Sequence, residues 1–289
     1  LYPYVLKNRM YPAGHPCVVI ESIDYEVGKY FGFILCTIVA ILLHPILPCK
    51  SNGKLVFSLC RKCTDDKSAA CTHNEKDRAF TGIYCTPEVD KAIQCGYRLV
   101  ETFVVYHYER QFNESFQGYI NTFLKLKQES SGLPPDVTDV DAYIQEYQQK
   151  EQVTLSRDKI VNNSGLRFIS KLMLNSLWGK LAQAANQVQD ELVFCRERLR
   201  ELYLNKSVEI VNDYQLDSDT LLVSYRYKDE LDTPQQPLTS PAVAAFVTCW
   251  GRLKLYSLIE QLESVRSGRV LYCDTDSHRR HKRRGEQGV

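Results

Sequence analysis

The chain has 289 residues, 44% hydrophobic and 25% charged, the composition of an ordinary soluble globular protein with one large domain or two small ones. Its net charge is +1. His278 to Val289 carry five Lys/Arg against one Glu, or +4, so the remainder sits near −3 and charge alone decides nothing about nucleic-acid binding.

The first residue is Leu1, with no charged n-region or cleavage site behind it. No secretory signal is expected, and sequence is expected upstream. With that, the length and the irregular spacing of eleven cysteines favour reduced thiols and a single metal cluster over an extracellular disulfide framework.

In chain order, residues 1–50 read as a turn followed by extended, mostly buried segments, with Tyr11-Pro12-Ala13-Gly14-His15-Pro16 as turn chemistry. Phe31 to Leu43 imitates a membrane span, but about thirteen apolar residues fall short of the ~20 that a spanning helix needs. Its Ile and Val content suits a buried strand. Residues 49–85 are Cys-rich. A short helix is predicted near Pro87–Cys95, a strand over Val100–Tyr108 and a helix near Phe116–Lys127. Residues 128–160 are polar, broken by Gly132-Leu133-Pro134-Pro135. Asn162-Asn163-Ser164 offers caps for a helix from about Gly165 to Ala185. Short strands are predicted at LVFC, SVEIV and TLLVSYRY between residues 186 and 237. Ser240-Pro241 opens a helix to about Glu263, and Arg269–Cys273 reads as a strand.

Four patterns carry chemistry. In Tyr272-Cys273-Asp274-Thr275-Asp276-Ser277 a short apolar strand delivers two carboxylates onto a tight turn. Such a pair suits Mg²⁺, which takes one or two carboxylates plus substrate phosphates, and two such ions stabilise both oxygens of a phosphoryl transfer. The competing reading is a plain acidic turn. On a helix, Arg167, Lys171, Asn175 and Gly179 recur every fourth residue and share one face, with Leu172, Met173 and Leu177 directed to a core. Cations on that stripe suit a triphosphate. A Gly inside a helix costs about 1 kcal/mol and so points to close packing or function; the alternative is a solvated face. Thr248-Cys249-Trp250-Gly251-Arg252 places Thr248 and Arg252 as i, i+4 neighbours, able to hold a phosphate backbone or to form an ordinary surface. Finally, Cys60-x2-Cys63 with Cys71-x-His73 offers four ligands suited to Zn²⁺. Unligated thiols are the equal alternative and a redox role the third. Cys49, Cys85 and Cys95 read as core thiols, and His107 as a satisfied core histidine.

With Leu1-Tyr2-Pro3, these patterns fall in one order. The chain resembles the protein-primed branch of family B DNA polymerases, as found in certain phages, adenoviruses and the Maverick/Polinton transposons. The family's first motif ends in Ser-Leu-Tyr-Pro, and Leu1-Tyr2-Pro3 matches its close. Its second, Lys-x3-Asn-Ser-x-Tyr-Gly, is matched from Lys171 to Gly179 with Trp178 in place of Tyr. Its third, Tyr-x-Asp-Thr-Asp-Ser, is matched from Tyr272 to Ser277, and the branch's Thr-x-x-Gly-Arg from Thr248 to Arg252. LPCKSNGKLVFSLCRKC and YINTFLKLKQESSG look like the transposon members.

The resemblance implies a DNA-directed DNA polymerase of α+β fold: part of an antiparallel palm with helical fingers and insertions. Residues 1–48 would start the palm, 49–160 hold the Cys-rich insertion and connecting region, and 161–185 the fingers helix. A second insertion would span 186–238, the palm would resume over 239–277, and 278–289 would be an aberrant basic tail. Asp276 is implied as a direct Mg²⁺ ligand with Asp274 beside it, and Lys171 as the triphosphate ligand with Arg167 on its face. Asn175 and Gly179 would shape the nascent pair, Tyr2 would gate the sugar, and Thr248 and Arg252 would contact primer or template. Implied partners are primer-template DNA, dNTPs and a terminal priming protein, with no membrane; the location is intracellular, nuclear in a eukaryote. Two departures stand out. The family's first metal-binding Asp lies before Leu1, and the apolar return strand after the third motif is replaced by His278-Arg-Arg-His-Lys-Arg-Arg-Gly. This chain is therefore expected to be inactive as written. Competing readings are an inactive polymerase remnant and a zinc-stabilised nucleic-acid-binding module.

Overall fold

The computed structural model describes residues 1–21, 23–40, 44–68, 70–113, 115–183, 187–228, 239–265, 270–274 and 277–280, with 271–274 and 277–280 as backbone only. These divide into two units, Leu1–Trp178 with Ala242–Val289, and Gly179–Pro241.

The first unit opens with a helix, α1 (Tyr2–Asn8), where turn and extended chain are predicted. Pro3 lies in its first turn, where a missing N–H is no loss. Val5 and Leu6 are fully buried and supply what a seven-residue helix lacks in propensity. Strands β1 (Tyr11–Ala13) and β2 (Cys17–Val19) lead to β3 (Gly32–Val39). The run resembling a membrane span is thus an interior strand as far as Val39; Ile41 to Leu43 lie outside the described residues. A hairpin follows, β4 (Pro48–Ser51) and β5 (Lys54–Phe57), turning at Asn52-Gly53 with both φ positive, the dipeptide that a two-residue hairpin turn favours.

Beyond the short helices α2 (Arg61–Asp66) and α3 (Glu75–Arg78) come β6 (Phe80–Cys85), α4 (Thr86–Gln94), β7 (Arg98–His107) and β8 (Arg110–Phe112). The main sheet is antiparallel in the order β2-β7-β3-β6, and β1 pairs with β8. Alternate residues Ile34, Cys36 and Ile38 of β3 join Phe80, Val89, Tyr97 and Val105 in the core. Cys49 and Cys85 are buried as expected, and Cys95 packs at the core's margin. His107 accepts the Phe31 N–H at its Nδ1 (3.0 Å), the satisfied histidine that its apolar strand implies.

Helix α5 (Gln117–Glu129) precedes a second unpredicted helix, α6 (Val140–Glu151). It forms in the polar 128–160 stretch because Asp139 caps it, accepting from the Asp141 and Ala142 N–H groups (3.0 Å each). Asn163 likewise caps α7 (Ser164–Leu181) through Leu166 N–H (3.0 Å); the predicted end at Ala185 lies outside the described residues. The buried positions of α7 are Ser170, Leu174 and Leu181, while Leu172 is 53% exposed, so the expectation that Leu172 faces a core is corrected. The three buried positions recur at spacings of four and seven, a single helical stripe, and Leu172 falls off it.

Helix α9 (Pro241–Val265) is long and apolar enough to cross a membrane by length and composition. Its Val243, Phe246, Val247 and Cys249 are buried, and Phe246 meets Phe31 and Phe33 beside the sheet. The unit closes with β12 (Val270–Asp274) and β13 (Ser277–Arg280), antiparallel, with Asp274 opposite Ser277 and Cys273 opposite His278. A return strand is therefore present where none is predicted. It is held by main-chain pairing, which every residue except proline offers, and needs no apolar face.

The second unit is a three-stranded antiparallel sheet, β10 (Val208–Gln215), β11 (Leu221–Tyr227) and β9 (Gln189–Val193) in that order, with α8 (Arg196–Leu204). Val193, Leu202, Val208, Val223 and Tyr225 are its core. Arg198 grips Glu191 with two hydrogen bonds (2.7 and 3.0 Å), which hold its guanidinium above, and the carboxyl of Glu191 below, their usual values.

Candidate functional site

Three of the four ordered motifs meet at α1. The Tyr2 ring stacks on Trp178 of α7 (5.1 Å between centroids, 30° between planes), a contact worth about 0.5–1.5 kcal/mol beyond its area. The indole of Trp178 is fixed in turn, donating from Nε1 to the Ala244 carbonyl of α9 (3.1 Å). A tyrosine at 178 has no N–H in that position; the Trp that departs from the family pattern thus binds α7 to α9. On α9, a Cβ at Gly251 would lie 3.3 Å from Tyr2 Cε1 and 3.5 Å from Leu1 Cδ2. The glycine of Thr248–Arg252 is the residue type that lets Leu1 and Tyr2 lie against the helix. The far end of α1 is clamped as well: Trp250 Nε1 donates to the Met10 carbonyl (2.9 Å), and Arg9 sits over the Trp250 ring.

Beside this contact, a pocket of about 280 Å³ is lined by Leu1, Tyr4, Lys7, Lys127, Lys171 and Asn175, with Glu151 at its wall. Lys171 and Asn175 thus share one cavity, while Gly179 lies further along α7 on an exposed turn. Lys7 and Lys127 are absent from the sequence-predicted set. Lys7 is only 6% exposed, hydrogen-bonds the Glu151 carbonyl, and is pushed below its usual value by burial, with Glu151 opposing that shift. Lysines from α1, α5 and α7 therefore line one space, with the Lys7 ammonium held by the Glu151 carbonyl.

Other predicted residues are placed differently. Arg167 donates from Nε to Ser131 Oγ (3.1 Å), tying the base of α7 to the turn after α5. Thr248 Oγ1 donates to the Ala245 carbonyl (2.7 Å). Arg252 forms an ion pair with Glu88 of α4 (2.5 Å), with side-chain exposures of 29% and 2%. Burial would lower the guanidinium's value; the Glu88 carboxylate overrides it and the net shift is upward. Cys85 and Cys249 lie against the same pair, and burial pushes the Cys249 thiol well up. Asp274 ends β12 opposite Ser277; Thr275 and Asp276 lie outside the described residues.

Away from α1, Cys60, Cys63, Cys71 and His73 bring one ligand atom each within 4.8 Å of one another. Nδ1 of His73 is 3.6, 3.3 and 3.9 Å from the three sulfurs in that order. Hydrogen bonds from the His73 backbone and ring hold the Cys71 thiol down to about 6, whereas desolvation and the neighbouring thiols push Cys63 up to about 12.

The family model described as DNA polymerase type B, organellar and viral, matches residues 1–135. That match spans a little under half of the chain. It holds α1, the main sheet, the Cys-rich region and Lys127. No curated protein matches the chain. Among solved structures, Phi29 DNA polymerase in a ternary complex with primer-template DNA and incoming nucleotide substrates is similar over 96% of this chain and 36% of its own, at 15% identity and a TM-score of 0.50. The same polymerase in a post-translocation binary complex with primer-template DNA gives 15% identity, 96% and 35% coverage and a TM-score of 0.49. The chain spans about a third of those polymerases. The likeness to the ternary complex shows the fold alone, of α+β class.

Proposed function

We propose that this chain forms the nucleotide-binding part of a DNA-directed DNA polymerase of the protein-primed branch, replicating a mobile or viral element. The observation that carries this reading is the convergence at α1. Leu1-Tyr2-Pro3, the Lys171–Trp178 helix and Gly251 are separated by up to 250 positions in sequence, yet Tyr2 touches both partners.

In this reading Lys171 takes the triphosphate of an incoming dNTP, with Lys7 and Lys127 in the same lining adding positive charge. Asn175 offers an amide beside them. Tyr2, backed by the Trp178 ring, is a rigid wall for the sugar. The carboxylate pair Asp274 and Asp276 has the hard oxygen donors that Mg²⁺ requires and would hold it; when bound, that ion neutralises charge on the transferring phosphate. Primer-template DNA and a terminal protein are the partners this activity requires.

The test is binding rather than turnover. A fluorescent dNTP titrated with Mg²⁺ should bind the full chain, and Lys171→Ala should weaken it roughly 10- to 100-fold, the value of a charged hydrogen bond of about 1.5–3 kcal/mol. Lys206→Ala, exposed and outside the pocket, should leave binding intact. Unchanged affinity in Lys171→Ala sinks the assignment.

A further inference from the structure

The helices α2 and α3 are ordered without a core. Neither has a buried residue, and the β5 residues before them, Leu55 and Phe57, are 66% and 49% exposed. Apolar burial does not account for their positions. Val56 and Leu59 just before α2 pack against the main core; beside the helices themselves the buried group is Cys60, 5% exposed, a member of the cysteine–histidine cluster.

The backbone is built around that cluster. Cys60 caps α2, its Sγ accepting the Cys63 N–H (3.4 Å). Lys67 turns the chain back in the left-handed region (φ 54°), and Ser68 N–H bonds to the Cys63 carbonyl (2.9 Å). This return brings Cys71 and His73 onto the first pair. Asn74 then starts α3, accepting the Asp77 N–H (3.0 Å). Each turn delivers two ligands, and among the described residues the group numbers four.

We propose that Cys60, Cys63, Cys71 and His73 Nδ1 bind one Zn²⁺ in a closed tetrahedral site that replaces the missing core of α2 and α3. Zn–S bonds of about 2.3 Å and a Zn–N bond of about 2.0–2.1 Å require ligand atoms roughly 3.5–3.8 Å apart in a tetrahedron. The three sulfur-to-Nδ1 distances of 3.6, 3.3 and 3.9 Å bracket that requirement. Three thiolates with one imidazole are soft donors that select zinc over Mg²⁺ or Ca²⁺. Four protein ligands leave no position for a reacting water, so the ion is architectural. Binding releases to solvent the protons that the thiols still carry. The ion's influence extends to the main sheet, because α3 is tied to it through Arg78 to the Ala40 carbonyl (2.6 Å) and through Glu75 to Arg98.

The experiment uses the full chain, purified under reducing conditions with Zn²⁺ present and then dialysed against metal-free buffer. Mass spectrometry of the metal content should find one zinc per chain. His73→Ala and Cys63→Ser should lower zinc affinity, measured against a competing chelator, by roughly 100-fold or more. His73→Cys, which restores a fourth thiolate, should keep one zinc. Cys17→Ser, at an exposed cysteine outside the cluster, should also keep it. Exchange with Co²⁺ should give the visible absorption of a tetrahedral site with thiolate charge transfer, strengthened in His73→Cys. The proposal is overturned by substoichiometric zinc in the unaltered chain, by an octahedral cobalt spectrum, by a disulfide among the three cysteines, or by zinc retention in both His73→Ala and Cys63→Ser. None of these results depends on dNTP binding, so the zinc site and the polymerase reading fail separately.

Discussion

Removing the Arg252 side chain leaves Glu88, 2% exposed, as a carboxylate in the interior without its cation. Stranding a buried charge in this way costs about 3–5 kcal/mol. The reverse change is milder. Glu88→Gln keeps a carbonyl acceptor, and the guanidinium it leaves has 29% of its side chain in solvent, so a loss of about 1–2 kcal/mol is expected. Replacing both residues by methionine removes both desolvation penalties together and should lie within about 2 kcal/mol of the unaltered chain. For a domain of this size each kcal/mol moves Tm by about 2–4 °C; Arg252→Met should therefore melt about 6–20 °C lower, and the double variant should recover most of that. Thermal unfolding followed by far-ultraviolet circular dichroism reads all three. The reasoning is refuted if the two single variants cost the same small amount, or if the double variant loses the sum of both. A deficit in DNA binding by Arg252→Met is interpretable only beside this measurement, since the pair holds α9 to α4 before any nucleic acid is involved.

Trp178→Phe keeps a ring against Tyr2 but leaves the Ala244 carbonyl without the indole donor; a loss of about 1 kcal/mol, with unchanged dNTP affinity, is expected from denaturant titration, and a stability equal to that of the unaltered chain contradicts it. The Asp90 carboxyl is raised above its usual value by burial, against hydrogen bonds from Tyr25 and Gly28 that lower it. A carboxyl whose folded value is raised binds its proton more tightly in the fold, so its contribution is favourable below the unfolded value near 3.9 and is lost as pH rises through the folded value. Asp90→Asn should remove that acid-side dependence from a pH series of unfolding midpoints; an unaltered profile would refute it.

Much of the fold is legible where side chains alone decide it. The β-branched run of β3 reads as a buried strand because its apolar content is too short for a membrane and too branched for a helix. Cys60, Cys63, Cys71 and His73 are legible because metal-ligand spacing is local. The failures are of another kind. Helix α6 is held at its ends by the Asp139 N-cap and the left-handed Gln152 C-cap in a polar segment, and α1 depends on burial that only the folded unit supplies. Strand β13 is invisible to hydrophobic patterning because its pairing is made by backbone groups. On α7 a buried Ser170 and an exposed Leu172 invert the usual assignment, since the serine hydroxyl bonds its own helix at the Leu166 carbonyl (2.8 Å) and needs no water. The convergence of Lys7, Lys127 and Lys171 joins positions up to 164 apart, beyond the reach of any periodicity.

The second unit begins at Gly179 and ends at Pro241, and its two ends are fastened together: Ser240 N–H donates to the Leu181 carbonyl (2.9 Å). On the first unit's side, the Trp178 indole and the Ala244 carbonyl do the same for the residues flanking the excursion. A stretch closed at its neck can change length at little entropic expense, since each doubling of a loop adds only about 0.6 kcal/mol. The segment between these clasps is therefore a place where residues can be added or removed at small cost to the register of the helix that carries Lys171 and Asn175.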